Sequence, residues 1–255
     1  MGTVAKMKSP SISKTGSIWE LFRTVLTAVF IAIFIRTFAY EPFNIPSGSM
    51  VPTLLVGDYL FVSKFSYGYS KYSLPFSPAV FSGRVFITKP KRGDVFVFRK
   101  PTNTNVDYIK RLIGMPGEKI QVIDGVVHIN GRALKREAIS GFTKKDAFGR
   151  EISIPKYIET LPNGVRHEII ELMGDEGVAD NTGVYNVPEG HYFMMGDNRD
   201  NSVDSRDKSV GSVPLENLVG RAEVLFWAWD TQWSWWEFWN WPQAIRFTRI
   251  FNLIR

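Results

Sequence analysis

Two short stretches hold residue types that could do chemistry together. Ile45-Pro46-Ser47-Gly48-Ser49-Met50-Val51-Pro52-Thr53-Leu54 sets two serines about a glycine between prolines, a few residues after an apolar segment ends. Asp107-Tyr108-Ile109-Lys110-Arg111 sets a lysine inside a strand-like apolar run. A serine hydroxyl is a weak nucleophile until a base takes its proton. The bases on offer are Lys110 and three histidines, His128, His167 and His191. A lysine amine can serve once burial disfavours the ammonium and draws its pKa from about 10.4 toward about 7–8. In a strand over 107–113, Tyr108, Lys110 and Leu112 share one face, and Asp107, Ile109 and Arg111 the other. That gives Lys110 apolar neighbours, whereas Arg111 stays charged and cannot be a base. On pattern alone, most lysines beside arginines are solvated. Histidine stays open at this level, although no Gly-x-Ser-x-Gly elbow occurs.

The elements that must position these residues begin with an N-terminal anchor. Thr24–Ile35 is uncharged, and extending it to 18–40 reaches the roughly 20 residues needed to cross hydrocarbon. Trp19 and Tyr40 then sit at the two interfaces, with Glu20, Arg23 and Arg36 near the ends, where the arginines can snorkel to water. Lys6, Lys8 and Lys14 precede it without an acid, which places residues 1–17 in the cytoplasm and everything after Tyr40 outside. A cleavable signal peptide is the rival reading, with Thr37-Phe38-Ala39 as its site. Arg36 beside that site, and Ser49 ten residues beyond, favour an uncleaved anchor; a buried core helix is the third reading.

Composition narrows the function classes. With 255 residues there is room for one large or two modest domains, and 22% charged residues with 44% hydrophobic ones describe a folded chain. No cysteine is present, which excludes disulfides, thiolate metal sites and a cysteine nucleophile. The net charge is +6, but residues 1–36 carry +4 of it and residues 242–255 carry +3, through Arg246, Arg249 and Arg255. The remaining body therefore sums to −1, which argues against nucleic acid as a partner and for anionic lipid headgroups at the two ends.

After Tyr40 the hydrophobic pattern has period two, punctuated by Gly and Pro. Asp94–Arg99 has buried-strand composition. Asp124-Gly125 and Asn130-Gly131 between alternating runs predict an antiparallel meander over 119–135. The expected fold is mainly β: an antiparallel catalytic domain from 41–135 and 189–229, interrupted by a loop-rich β subdomain at 136–188. That insertion is polar, with Pro162-Asn163-Gly164 and Gly174-Asp175-Glu176-Gly177 as turn signals. Seven of the eight tryptophans fall between Trp227 and Trp241, which reads as a membrane-proximal tail over 230–255. Ordinary packing around 222–229 accounts for Trp227 and Trp229 in either case.

Four stretches in this order closely resemble the signature boxes of bacterial type I signal peptidases. They are Ile45–Leu54, Arg92-Gly93-Asp94-Val95-Phe96-Val97-Phe98, Tyr108-Ile109-Lys110-Arg111-Leu112-Ile113-Gly114-Met115-Pro116-Gly117, and Gly196-Asp197-Asn198-Arg199-Asp200-Asn201-Ser202-Val203-Asp204-Ser205-Arg206. The likeness spans about residues 40 to 225 and follows an anchor, where the family has one; part of the family has two spans rather than one. The resemblance implies that Ser49 is the nucleophile and Lys110 the general base. It implies that Ser47 and the Ser49 N–H form the oxyanion hole, that Ser202 hydrogen-bonds and orients the lysine, and that Asp204 and Arg206 brace the site. Phe43, Ile45, Met50, Leu54, Tyr108 and Ile109 match positions lining small apolar substrate pockets, each with plain packing as its alternative.

The family resemblance further implies a substrate and a place. Signal peptides of exported preproteins would be cut after small-x-small (Ala-x-Ala) sites, at the outer (periplasmic) face of a bacterial cytoplasmic membrane, beside lipid and near the secretion translocon. No metal or organic cofactor is implied. Asp197-Asn198-Arg199-Asp200-Asn201-Ser202 looks at first like a calcium loop, but Arg199, Ser202 and Lys208 stand where an EF-hand needs an oxygen ligand, a glycine and a glutamate. Two other functions remain: a self-cleaving Ser/Lys peptidase of the DNA-damage-response repressor type, and a non-enzymatic anchored β-domain that binds export partners.

Overall fold

The computed structural model describes residues 14–74, 77–78, 81–145 and 150–255. A helix spans Lys14–Phe38, and its 21 residues from Ile18 to Phe38 are long and apolar enough to cross a membrane. Ile18, Phe22, Leu26, Phe30 and Phe34 are all exposed, so the helix has no protein face to bury. A helix apolar on every side needs hydrocarbon as its solvent. It ends two residues short of the expected boundary, because Tyr40 already pairs with Ser63 in the first strand. Lys6 and Lys8 lie outside the described residues.

Seven antiparallel strands form the main sheet, in the spatial order Tyr40–Asn44, Asp58–Ser63, Leu218–Ala228, Val95–Lys100, Asn103–Gly114, His191–Met195 and Val213–Pro214. The chain reaches Leu218–Ala228 late and inserts that strand inside the sheet, between Asp58–Ser63 and Val95–Lys100. Val95 to Phe98 are all buried, with Val97 facing a core that holds Leu60, Val62 and Leu225, and Phe96 and Phe98 facing another with Leu112 and Leu218. This two-faced burial is why that run is continuously apolar rather than alternating.

The meander forms as expected, from Lys119–Ile123, Val126–Ile129 and Arg132–Ala133. Asp124-Gly125 and Asn130-Gly131 all take positive φ, the conformation their two-residue turns demand. Ile120, Val122, Val127 and Ile129 pack with Ile113 and Phe193 beneath it.

The insertion is more regular than a loop-rich segment. Lys135–Lys145, Glu151–Thr160 and Arg166–Ile170 make a three-stranded antiparallel sheet, with a bulge between Ile139 and Phe142. Its first hairpin has few buried positions, so no alternating apolar face marked it as strand. Leu161 and Val187 join the core under the meander, tying the insertion to the body. Only 171–188 is mostly irregular, with one short strand at Tyr185–Asn186.

The tail also departs from its charge reading. Arg249 pairs with the fully buried Asp58 at 2.6 Å, and Arg246 lies 3.4 Å from Asp230. Their charge is answered inside the protein rather than held free for lipid. Trp235, Trp236, Phe238, Trp239 and Trp241 are exposed, and Trp227 is at the exposed margin rather than in the core.

Leu60 is fully buried in the central core. Leu60→Ala should destabilise the detergent-solubilised chain by ~2–5 kcal/mol in chemical denaturation, whereas Ile123→Ala at an exposed strand end should stay within ~0.5 kcal/mol.

Candidate active site

The turn after the first strand is pinned from below. Ile45 N–H donates to Asp58 O at 2.8 Å, Leu54 N–H donates to Met50 O at 2.9 Å, and Met50 and Leu54 are fully buried in the core. With those two side chains inward, Ser49 is presented at the turn's edge and is 7% exposed.

Strand Asn103–Gly114 brings up the lysine from a different part of the chain. Its register pairs Phe96 with Lys110 and Val97 with Ile109. Lys110 Nζ lies 2.7 Å from Ser49 Oγ, donates to Ile109 O at 2.9 Å, and sits 5.2 Å from the Tyr108 ring centroid. Burial pushes the Lys110 amine down to about 8; Asp204 and Asp197 oppose this and Arg206 assists it. None of the histidines reaches Ser49 among the described residues. His128 Nδ1 and His191 Nδ1 lie against the backbone carbonyls of Val126 and Glu189, and His167 is buried 3.4 Å from Glu159. Of these candidate bases, Lys110 is the one placed within hydrogen-bond distance of Ser49 Oγ.

Arg111, the next residue, faces the opposite side and is fully buried. It grips Asp197 through Nε at 2.8 Å and Nη2 at 2.7 Å, and donates to Gly93 O through Nη1. Thr53 Oγ1 also donates to Asp197. Burial would raise the Asp197 carboxyl, but Arg111 outweighs it and holds the group below its usual range. Sequence reasoning gave Asp197 and Arg111 no role. The signal was there in the alternation, which put Arg111 where only a buried acid could accept it.

The loop from Gly196 to Arg206 closes the site. Asn198 N–H donates to Ser49 O, and Asn198 Nδ2 donates to Gly48 O at 2.9 Å. A Cβ at Gly196 would lie 2.2 Å from Ser202 Oγ and 2.4 Å from Ser49 O, so only glycine fits. Asp204 and Arg206 form the expected pair, with both bonds at 2.9 Å, and Asp204 also accepts the Gly196 N–H. Ser202 differs from expectation. Its hydroxyl is buried without a hydrogen bond to Lys110, and its influence falls on Asp204, whose charge it helps to hold.

Ser47 is exposed at the mouth of a cleft of about 660 Å³. Phe43, Ile45, Tyr108 and Ile109 line this cleft together with Val97 from the neighbouring strand. Met50 and Leu54 do not; they are the core anchors of the serine turn. Asp107, Asp200 and Asn201 add a polar rim. No backbone or side-chain acceptor takes the Ser49 N–H among the described residues.

Asp197→Asn leaves Arg111 buried against a neutral partner. It should cost ~3–5 kcal/mol in denaturant unfolding of the full chain, a loss that added salt does not mimic because the pair is sealed from solvent.

Residues 18–227 match the family model described as signal peptidase, peptidase S26. The signal peptidase I of Rickettsia typhi (strain Wilmington) is 44% identical over 219 residues, 83% of this chain and 81% of its own length. That of Rickettsia prowazekii (strain Madrid E) is 42% identical over 234 residues, covering 89% and 87%. A solved signal peptidase I from Enterococcus faecalis V583 is 30% identical and covers 53% of this chain and 97% of its own, at a TM-score of 0.31, too low to bear on the fold.

Proposed function

This chain belongs to the peptidase S26 family of signal peptidases, and we propose that it cuts preprotein signal peptides with Ser49 as nucleophile and Lys110 as base. The observation that carries this reading is the buried 2.7 Å approach of Lys110 Nζ to Ser49 Oγ. In the neutral amine the nitrogen lone pair accepts the serine proton as Oγ attacks the scissile carbonyl. The resulting ammonium returns that proton to the departing amine, leaving an ester on Ser49. The same amine, neutral again, draws a proton from water, which hydrolyses the ester. The unpaired Ser49 N–H and the Ser47 hydroxyl at the cleft mouth are the proposed donors to the oxyanion.

The apolar walls from Phe43, Ile45, Tyr108 and Ile109, closed by Val97, support a preference for small side chains by excluding larger ones. Asp204 and Arg206 brace the loop beneath the lysine. The proposed organisation has a cytoplasmic tail to residue 17 and an uncleaved anchor. A catalytic β domain at 41–135 and 189–229, the insertion at 136–188 and the membrane-proximal tail complete it. On this reading the catalytic domain lies on the periplasmic side, close to lipid and to the translocon that delivers preproteins.

Surface chemistry supports the membrane placement. Tyr40, Phe65, Phe61, Phe226 and Tyr59 form a continuous series of ring contacts across one edge of the sheet, starting at the foot of the anchor. The exposed tail tryptophans follow in the turns and short helical segments after strand Leu218–Ala228. Aromatic rings with a polar edge favour the headgroup region.

Purified wild-type protein in detergent should cleave a preprotein bearing an Ala-x-Ala site, and Ser49→Ala and Lys110→Ala should each lose about 10³-fold or more in kcat/KM. Retained activity in Lys110→Ala would discard lysine as the base. Because the neutral amine is the active form, kcat/KM should rise with pH through about 8 and fall about tenfold per pH unit below it. In a Trp19→Phe background in vesicles, lipids brominated near the headgroup should quench tail tryptophan emission, and Trp235→Phe/Trp236→Phe/Trp239→Phe should remove most of the quenched signal.

A further inference from the structure

Away from the cleft, Glu171 follows directly on strand Arg166–Ile170 and is fully buried. Neither of its carboxylate oxygens receives a hydrogen bond. Two more carboxylates face it, the buried Asp180 from the loop that follows and Asp200 from the loop that holds Asn198 against the serine turn. One oxygen from each of the three lies within 4.8 Å of the other two. Asp200 Oδ1 is also buried without a partner, while its Oδ2 accepts the Met173 N–H.

The nearby cations answer these acids only at a distance. Arg136 donates to both oxygens of Asp175 at 2.9 and 3.0 Å and comes no closer than 3.7 Å to Glu171. Arg199 is held bidentate by Glu159 at 2.9 and 2.5 Å, and Arg206 by Asp204. Each arginine thus makes its hydrogen bonds to another carboxylate, and Glu171 keeps only the 3.7 Å approach of Arg136. A buried carboxylate that no hydrogen bond satisfies is unfavourable to ionise, and burial pushes the Glu171 carboxyl up to about 8.

Chain geometry brings a backbone loop close against these acids. Gly177 donates its N–H to Asp180 Oδ2 at 2.6 Å, and a Cβ on Gly177 would lie 1.9 Å from Asp200 Oδ1. The loop can come this close only as glycine, and it brings the backbone up against two of the three carboxylates.

We propose that Glu171, Asp180 and Asp200 bind a divalent cation of calcium size. Calcium takes carboxylate and carbonyl oxygens at about 2.4 Å, so donors on opposite sides of one ion stand up to about 4.8 Å apart. Magnesium, at about 2.1 Å, demands near-octahedral geometry and keeps more of its water, so a set of three protein carboxylates suits calcium better. The site differs from an EF-hand, which takes its ligands from one continuous loop. Here they come from three segments: the end of an insertion strand, the loop after it, and the loop carrying Asn198. A bound ion fastens the insertion to the backbone that supports Gly48 and Ser49, without touching the reacting atoms.

The test is a thermal unfolding titration of the detergent-solubilised full chain, first stripped with EDTA. Calcium chloride is added up to about 10 mM, above the weakest range for extracellular calcium modules, against sodium chloride of equal ionic strength and against magnesium chloride. The expected result is a saturable rise in Tm with calcium, weaker with magnesium, and a dissociation constant at least tenfold weaker in Glu171→Gln and in Asp180→Asn. A response to calcium no larger than the salt control in the wild type overturns the proposal. So does an undiminished calcium response in Glu171→Gln. If either variant fails to fold, calorimetric titration of the wild type with calcium chloride decides, since absence of saturable heat overturns the proposal as directly. These readouts are of binding and stability, so they stand apart from whether Ser49 and Lys110 do the chemistry.

Discussion

A lysine held out of water beside a serine is the arrangement on which the rest of this structure turns. Removing an ammonium from water is unfavourable, and that penalty is what brings the amine to about 8. The setting works only if nearby acids do not restore the charge. Asp197 and Asp204 both favour the ammonium, yet each is engaged by an arginine, Arg111 and Arg206. An acid paired so closely presents a dipole rather than a bare charge, and its pull on Lys110 weakens with distance more steeply. Two buried ion pairs therefore flank the lysine without neutralising its purpose.

Those ion pairs have a second consequence, because they organise the backbone that carries the serine. Asp197 and Asp204 lie at the two ends of the loop from Gly196 to Arg206, and Asn198 between them holds the carbonyls of Gly48 and Ser49. The insertion enters this arrangement directly. Ile170 N–H donates to Asp197 O, Arg199 N–H donates to Ile170 O, and Glu159 takes the Arg199 guanidinium. Burial alone would raise the Glu159 carboxyl, and Arg199 instead holds it well below the usual range. A segment whose sequence carried no recognisable chemistry thus braces the loop under the nucleophile.

The protein also divides its apolar surface between two solvents. Core side chains such as Leu60, Phe96 and Ile120 are buried within protein. The anchor residues, the ring series from Tyr59 to Phe65 and the tail tryptophans are turned outward. In water alone, a continuous outward surface of this kind would be a liability for aggregation. On the proposed membrane reading, lipid covers that surface instead. The tail arginines contribute structurally: Arg249 satisfies Asp58, the same residue whose backbone carbonyl fixes Ile45.

Local features of the chain were readable before any contact was known, because they are set by interactions between near neighbours. The apolar length of 18–38 specifies a span. Asp124-Gly125 and Asn130-Gly131 specify turns through their tolerance of positive φ, and alternation at 108–112 separates Lys110 from Arg111 whatever lies on either side. Ser49 and Lys110 were assigned by the resemblance to the family's signature boxes, not by the local pattern, which left histidine open. What lay beyond reach was every question of which side chain meets which across long separations. Met50 and Leu54 are apolar residues next to a candidate nucleophile, and nothing local distinguishes a pocket wall from a core anchor; the packing of the serine turn onto Leu60 and Val62 made them anchors. Ser202 shares a loop with Asp204, and nothing local says whether its hydroxyl meets the lysine; in the fold it has no hydrogen bond to Lys110. The hairpin at 135–160 looked like loop because its exposed faces have no burial pattern to show. Burial and charge pairing depend on distant partners, and the separation of 61 positions from Ser49 to Lys110 is closed only by tertiary packing of the serine turn against strand Asn103–Gly114.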